Sequence, residues 1–398
     1  MEVSAIYIYE RTPLILLFAT GYLLYLVMSG AGLPGYMAAR AVRFSRGRAD
    51  ALLLSLIAVS AGLSMFIPNA VTVLAMLPVI RRLAEKSPDL TTPLTLSIIY
   101  GANIGGMGSL IGSPANMLLI GVLDYFDVPG RGEISFFNWF EWALPLVLLF
   151  LVVAWRVACV ALNDRKMRFY TEEIAVLPFR PSHARGLAVL AVYIGYWLLS
   201  SIAAEFSPVL RKYEPLGAGI FTLLFCGYVF GTGLVRPRDL IHRLPKRGIV
   251  LLGALGLLLV LAGFFRLDEH AADGFSLLLK YIEQDGCGGF TVYLAVAFAV
   301  IMLTEFLSNT VVSTAFFAVV VHMAGICALE QLPLLILVST ASTCAFMTPV
   351  ATPCNSLAVG EMRGVSLRAM LLLGMLLNVV GAFLLSIWIR EVVPLVYG

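Results

Sequence analysis

This sequence is poor in charge. Of 398 residues only 13% are Asp, Glu, Lys or Arg, against 60% apolar, so there is too little polar surface to cover a water-soluble body of this length. The net charge of +3 is small, and the basic residues gather between apolar runs without interleaved aromatics, which argues against nucleic acid as a partner. His, Asp and Cys form no convergent cluster, so a membrane-embedded enzyme would lack its catalytic set. The six cysteines (Cys159, Cys226, Cys287, Cys327, Cys344, Cys354) lie mostly in apolar stretches without metal-ligand spacing. They read as small buried hydrophobes rather than disulfide or zinc partners. The first apolar run, Leu14 to Met28, has only Arg11 before it, whereas Arg40, Arg43, Arg46 and Arg48 follow. It is therefore expected to be a retained span with the N-terminus outside, not a signal peptide.

What the chain does have is long uncharged runs separated by loops of alternating charge, the pattern of an all-α polytopic membrane protein. Residues 13–34 lead inward to the Arg40–Arg48 cluster. The next run, Ala51 to Ile80, is uncharged and ends at Arg81, Arg82 and Lys86. Both its flanks are cytoplasmic by charge, and thirty helical residues would cover about 45 Å against a hydrocarbon core of about 30 Å. With Pro68-Asn69 at its centre, it is expected to be a re-entrant hairpin (50–84) entering from inside. Residues 93–123 form a span broken by Gly105, Gly106, Gly108, Gly112 and Pro114, and lead to an acidic outer loop. Spans at 139–160, 187–204, 216–234 and 249–265 follow.

No Lys or Arg occurs between Lys280 and Arg363, so a second hairpin (290–329, tip Ser308-Asn309-Thr310) is expected to enter from outside. A second broken span (332–360, interrupted from Pro349 to Pro353) and a last span at about 367–390 place the C-terminus outside as well. The plan totals about eight full spans, two of them interrupted, plus two re-entrant hairpins. Five spans separate the hairpins, so the copies run in opposite directions: inverted repeats at 1–165 and 187–398, joined by a cytoplasmic linker at 166–186. The 240-residue offset between Asn69 and Asn309 leaves no counterpart before residue 1 for residues 187–240, so the first repeat is expected to be about two scaffold helices shorter.

Breaks at membrane depth survive only where protein, water or ligand satisfies the freed backbone groups. A helix N-terminus at a hairpin tip suits a carboxylate or similar oxyanion. Loosened carbonyls, with Asn, Ser and Thr oxygens, suit a small hard cation. No Lys or Arg lies in either tip or either broken span, so an anionic substrate would need co-bound cations, hence an expectation of Na⁺ coupling. Ser113 and Thr352 read either as substrate-binding residues or as caps of the broken helices. Glu305, in an apolar limb, points to gating, proton coupling or a structural pair with a hydroxyl or backbone group. Met65, its counterpart, reads as packing, and Asn103 and Asn378 as interhelical hydrogen-bond partners.

The segments Ser64-Met-Phe-Ile-Pro-Asn-Ala, Thr304-Glu-Phe-Leu-Ser-Asn-Thr, Ala102-Asn-Ile-Gly-Gly-Met-Gly-Ser-Leu-Ile-Gly-Ser-Pro-Ala-Asn and Ala345-Phe-Met-Thr-Pro-Val-Ala-Thr-Pro-Cys-Asn together resemble the paired tips and Gly/Pro loops of the divalent anion/sodium symporter family. The resemblance implies an elevator-type secondary transporter of the cytoplasmic membrane, usually a homodimer, carrying di- or tricarboxylates or sulfate with Na⁺. It implies one Na⁺ site at Ser64, Asn69 and Gly112, a second at Thr304, Asn309 and Ala351, and substrate contacts from Asn69, Asn309 and Thr310. The first tip departs from the family in lacking two hydroxyls, at Pro68 and Ala70, so a weakened first cation site or a changed substrate is expected, with Thr72 a partial substitute. Sulfate transport and Na⁺/H⁺ exchange are the alternative functions.

Overall fold

A computed structural model describes residues 5–162, 169, 178–242, 257 and 289–397. The expected span at 249–265, the acidic loop after it, Cys287 and most of the 166–186 linker lie outside these residues. The described chain is helical throughout its spans. Five helices are long and apolar enough to cross a membrane: α1 (Ala5–Gly30), α7 (Phe136–Ala158), α8 (Pro181–Phe206), α9 (Pro208–Gly231) and α15 (Leu367–Glu391).

The uncharged runs are broken where the sequence places Pro, Gly and Asn. The hairpin expected to enter from inside, called inner below, is α3 (Ala49–Ser64) and α4 (Asn69–Lys86); the one expected to enter from outside, called outer, is α11 (Gly289–Thr304) and α12 (Asn309–Ile326). Limbs of 16 to 18 residues reach about 24 to 27 Å, short of a full crossing. The interrupted helices are α5 (Thr91–Gly105) with α6 (Pro114–Tyr125), and α13 (Gln331–Ala341) with α14 (Pro353–Glu361).

One element differs from the sequence reading. The Arg40–Arg48 region, expected as a basic loop, begins as an amphipathic helix, α2 (Leu33–Phe44), set off from α1 by Gly32 at φ 69°. Its Ala38, Ala39, Ala41 and Val42 are buried while Arg40 and Arg43 are exposed. Tyr36 stacks on His183 at 4.5 Å, tying α2 to the start of α8.

Packing brings the motif segments together crosswise. The second limb of each hairpin lies on the second half of the other interrupted helix: α4 on α14, and α12 on α6. The closest helix pair is α3 with α5, where a Cβ on Gly101 or Gly105 would overlap the carbonyl oxygens of Ile57 and Ala61. Ser60 Oγ seals that contact by donating to Ile98 O at 2.8 Å. Because the obstacle is backbone rather than a movable side chain, Gly105→Ala is expected to destabilise the protein by about 1–3 kcal/mol. A lowered thermal midpoint in detergent, with Gly121→Ala unchanged because nothing lies within 4 Å of its Cβ position, checks this.

Candidate transport site

The two hairpin tips share one backbone design. Leu63 O accepts from Phe66 N and Ile67 N at 3.0 and 2.9 Å, and Leu303 O accepts from Phe306 N and Leu307 N at 3.1 and 3.0 Å. The next limb then opens with Thr72 N donating to Pro68 O and Val312 N to Ser308 O. Pro68 (φ −52°, ψ 134°) and Ser308 (φ −60°, ψ 137°) hold nearly the same conformation. Both sit at proline's preferred φ, so Pro68 is accommodated without distortion. Its departure from the outer tip is chemical, a lost hydroxyl and N–H. Neither α4 nor α12 has a side-chain cap, so each presents open N–H groups at its start.

The interrupted helices also match. Asn116 Nδ2 donates to Gly106 O and Ser109 O at 3.1 and 2.8 Å; Asn355 Nδ2 donates to Ala345 O and Thr348 O, both at 2.9 Å. The offset is constant at 239 (355 minus 116). Ser109 Oγ donates to Met65 O, and Thr348 Oγ1 to Glu305 O. Ser113 Oγ accepts from Ala115 N at 3.3 Å, and Thr352 Oγ1 from Asn355 N at 3.2 Å. Ser113 and Thr352 thus act as caps, closing the N-termini of α6 and α14 while those of the hairpin limbs stay open.

A buried polar network joins the copies. Asn69 Nδ2 donates to Asn103 Oδ1 at 3.3 Å, and Asn103 Nδ2 to Ala345 O at 2.7 Å and Asn355 Oδ1 at 3.2 Å. Ser339 Oγ reaches Asn116 Oδ1 at 2.8 Å. Asn103 and Asn378 are interhelical partners, as expected, the latter through Glu305. The Glu305 carboxylate accepts from the backbone N–H groups of Phe346, Met347 and Thr348, which settles its contacts in favour of backbone pairing. Met65 packs over Gly108, and His322 is half-buried away from the network. Two contributors were not read from the sequence: Ser339, and Trp139, whose Nε1 donates to Met107 O at 3.0 Å. A buried indole N–H in an apolar run was the available signal for Trp139.

The cation candidates differ between the copies. In the outer tip Thr304 Oγ1 lies within hydrogen-bond distance of two acceptors, Asn309 Oδ1 at 2.8 Å and Ser342 O at 2.9 Å. In the inner tip Ser64 Oγ, Asn69 Oδ1 and Thr72 Oγ1 are buried without a hydrogen-bond partner. A Cβ placed on Gly106 would sit 3.4 Å from Asn103 O and 3.4 and 3.5 Å from the Nδ2 and Oδ1 of Asn69, so that glycine lies against the Asn69 amide. Orphaned buried oxygens are costly unless something pairs with them, and neutral oxygens of this kind fit a hard monovalent cation. Gly112 packs against Gly106, while Ala351 and, at the outer tip, Thr310 are buried.

Paired hairpins, interrupted helices and open helix ends inside an apolar bundle define a polytopic membrane transporter, not an enzyme. A family model described as "CitMHS: Citrate transporter" matches residues 4–332, and the chain belongs to that citrate transporter family. The chain is 26% identical over 376 residues to an uncharacterized transporter of Haemophilus influenzae, covering 92% of this chain and 78% of the relative. It is 24% identical over 425 residues to the sodium-dependent dicarboxylate transporter SdcS of Staphylococcus saprophyticus (100% and 79%), and 23% identical over 419 residues to SdcS of Staphylococcus aureus (97% and 77%).

Asn355 holds two carbonyls of the outer break and joins it to Asn103, so Asn355→Leu is expected to cost about 2–3 kcal/mol through stranded buried carbonyls. Denaturation in detergent, compared with Ser356→Ala at the neighbouring, exposed hydrogen bond, measures this.

Proposed function

We propose that the protein moves a small di- or tricarboxylate across the cytoplasmic membrane, coupled to Na⁺. The observation that carries this reading is the pairing of orphaned or neighbouring oxygens with uncapped helix N-termini at both tips. The oxygens suit Na⁺ and the helix ends suit a carboxylate, and the sequence of either tip and either broken span holds no Lys or Arg to neutralise the anion instead. The names of the staphylococcal relatives agree with this chemistry.

In this reading the substrate meets Asn69, Asn309 and Thr310. One Na⁺ lies at Ser64, Asn69 and the Gly112 carbonyl, with Thr72 supplying a replacement hydroxyl; the other lies at Thr304, Asn309 and the Ala351 carbonyl. Residues 1–165 and 187–398 act as inverted repeats, with both termini outside. Alternating access proceeds by an elevator movement within a homodimer. The corresponding backbone bonds of the two copies and their crosswise packing support the repeat.

Proteoliposomes loaded for an inward Na⁺ gradient are expected to accumulate labelled succinate or citrate, and to lose uptake when Na⁺ is replaced by K⁺. Na⁺/H⁺ exchange with no anion uptake under any gradient would reject the reading. Asn309→Ala is expected to reduce uptake by about 10²-fold or more, because it removes a cation ligand and a substrate contact together. Ala70→Thr, which restores a hydroxyl at the inner tip, is expected to lower the half-saturating Na⁺ concentration several-fold. Uptake assayed against Na⁺ concentration tests both.

A further inference from the structure

Glu305 is the one acidic residue of the outer hairpin, and it is fully buried. Its Oε1 accepts from Phe346 N, Met347 N and Asn378 Nδ2, each at 2.7 Å, and its Oε2 accepts from Thr348 N at 2.8 Å. Every partner is a donor, so the group serves as a carboxylate, and its bonds to the chain are of the strong charge-assisted kind. The adjacent Thr304 holds Ser342 O, at the other end of the same break. Two successive side chains, the last of α11 and the one that follows it, therefore grip residues 342–348 at both ends.

The inner copy does this differently. Met65 replaces the glutamate, and the N–H groups of Met107 and Gly108, the counterparts of Phe346 and Met347 at the 239-residue offset, are satisfied locally by Ile104 O and Gly105 O at 3.3 and 2.9 Å. The inner break is folded on itself. The outer break is held from outside, by a charge on the hairpin.

We propose that Glu305 is a positioning residue for the outer cation site, holding residues 346–348 so that Ser342 O stays beside Thr304 and Asn309. This rests on the Na⁺-coupled reading above. A carboxamide cannot serve the same four donors, because its own NH₂ would face one of the backbone N–H groups.

The test is Na⁺ titration of the purified full-length protein by calorimetry, together with Na⁺ activation of succinate uptake in proteoliposomes. Glu305→Gln is expected to raise the half-saturating Na⁺ concentration by about tenfold while uptake at saturating Na⁺ stays within about threefold of wild type. Asn378→Leu, which removes one of the four donors, is expected to give a smaller shift in the same direction, and carries the test should Glu305→Gln fail to fold. Met65→Leu is expected to leave Na⁺ activation unmoved. A folded Glu305→Gln protein with a lower melting point or slower uptake but an unchanged Na⁺ half-saturation would overturn the proposal. A wild-type protein indifferent to Na⁺ would instead overturn the functional reading on which it stands.

Discussion

Everything in this molecule depends on satisfying the backbone of two interrupted helices inside an apolar bundle. Each interruption frees carbonyl and N–H groups where no bulk water is present, and each unsatisfied group would cost several kcal/mol. The chain meets the demand with one asparagine per break, Asn116 and Asn355, each donating to two carbonyls across the loop. One hydroxyl per break, on Ser109 and Thr348, then ties the loop to the carbonyl just past the end of the hairpin's first limb. With the breaks held this way, the open groups are concentrated at the hairpin tips.

The two halves solve the problem with the same geometry and different chemistry. The inner break relies on glycine and local turns, leaving Ser64, Asn69 and Thr72 with unpaired oxygens. The outer break relies on a buried carboxylate, and its tip oxygens already face one another. Proline at position 68 belongs to this contrast. Because Ser308 holds a nearly identical conformation without the ring, the inner tip keeps its shape while giving up a hydroxyl and a donor.

The hairpins and interruptions were legible because Pro, Gly and Asn stand out in uncharged runs whose length exceeds a bilayer crossing; the limb ends at Ser64, Asn69, Thr304 and Asn309 were not. Helix α2 was not, because charge placement locates a loop's side of the membrane but says nothing of its secondary structure, and the arginines occupy only one face. The tip asparagines were visible as repeated local motifs. The roles of Ser339, Trp139 and Glu305 were hidden, since their partners lie far along the chain and, for Trp139 and Glu305, are backbone groups that carry no sequence signal. Ser113 and Thr352 were visible, but whether they cap or bind depended on a hydroxyl's direction.

The contact of α3 with α5 at Gly101 and Gly105 has a mechanical consequence. With backbone against backbone at both glycines and Ser60 bonded to Ile98 O, these two helices act as a single stiff plate, and sliding the first limb of the inner hairpin along its neighbour would force the pair apart. The second limb, α4, carries Pro78 within its length. The inner hairpin is thus a clamp with one jaw, α3, fixed to α5.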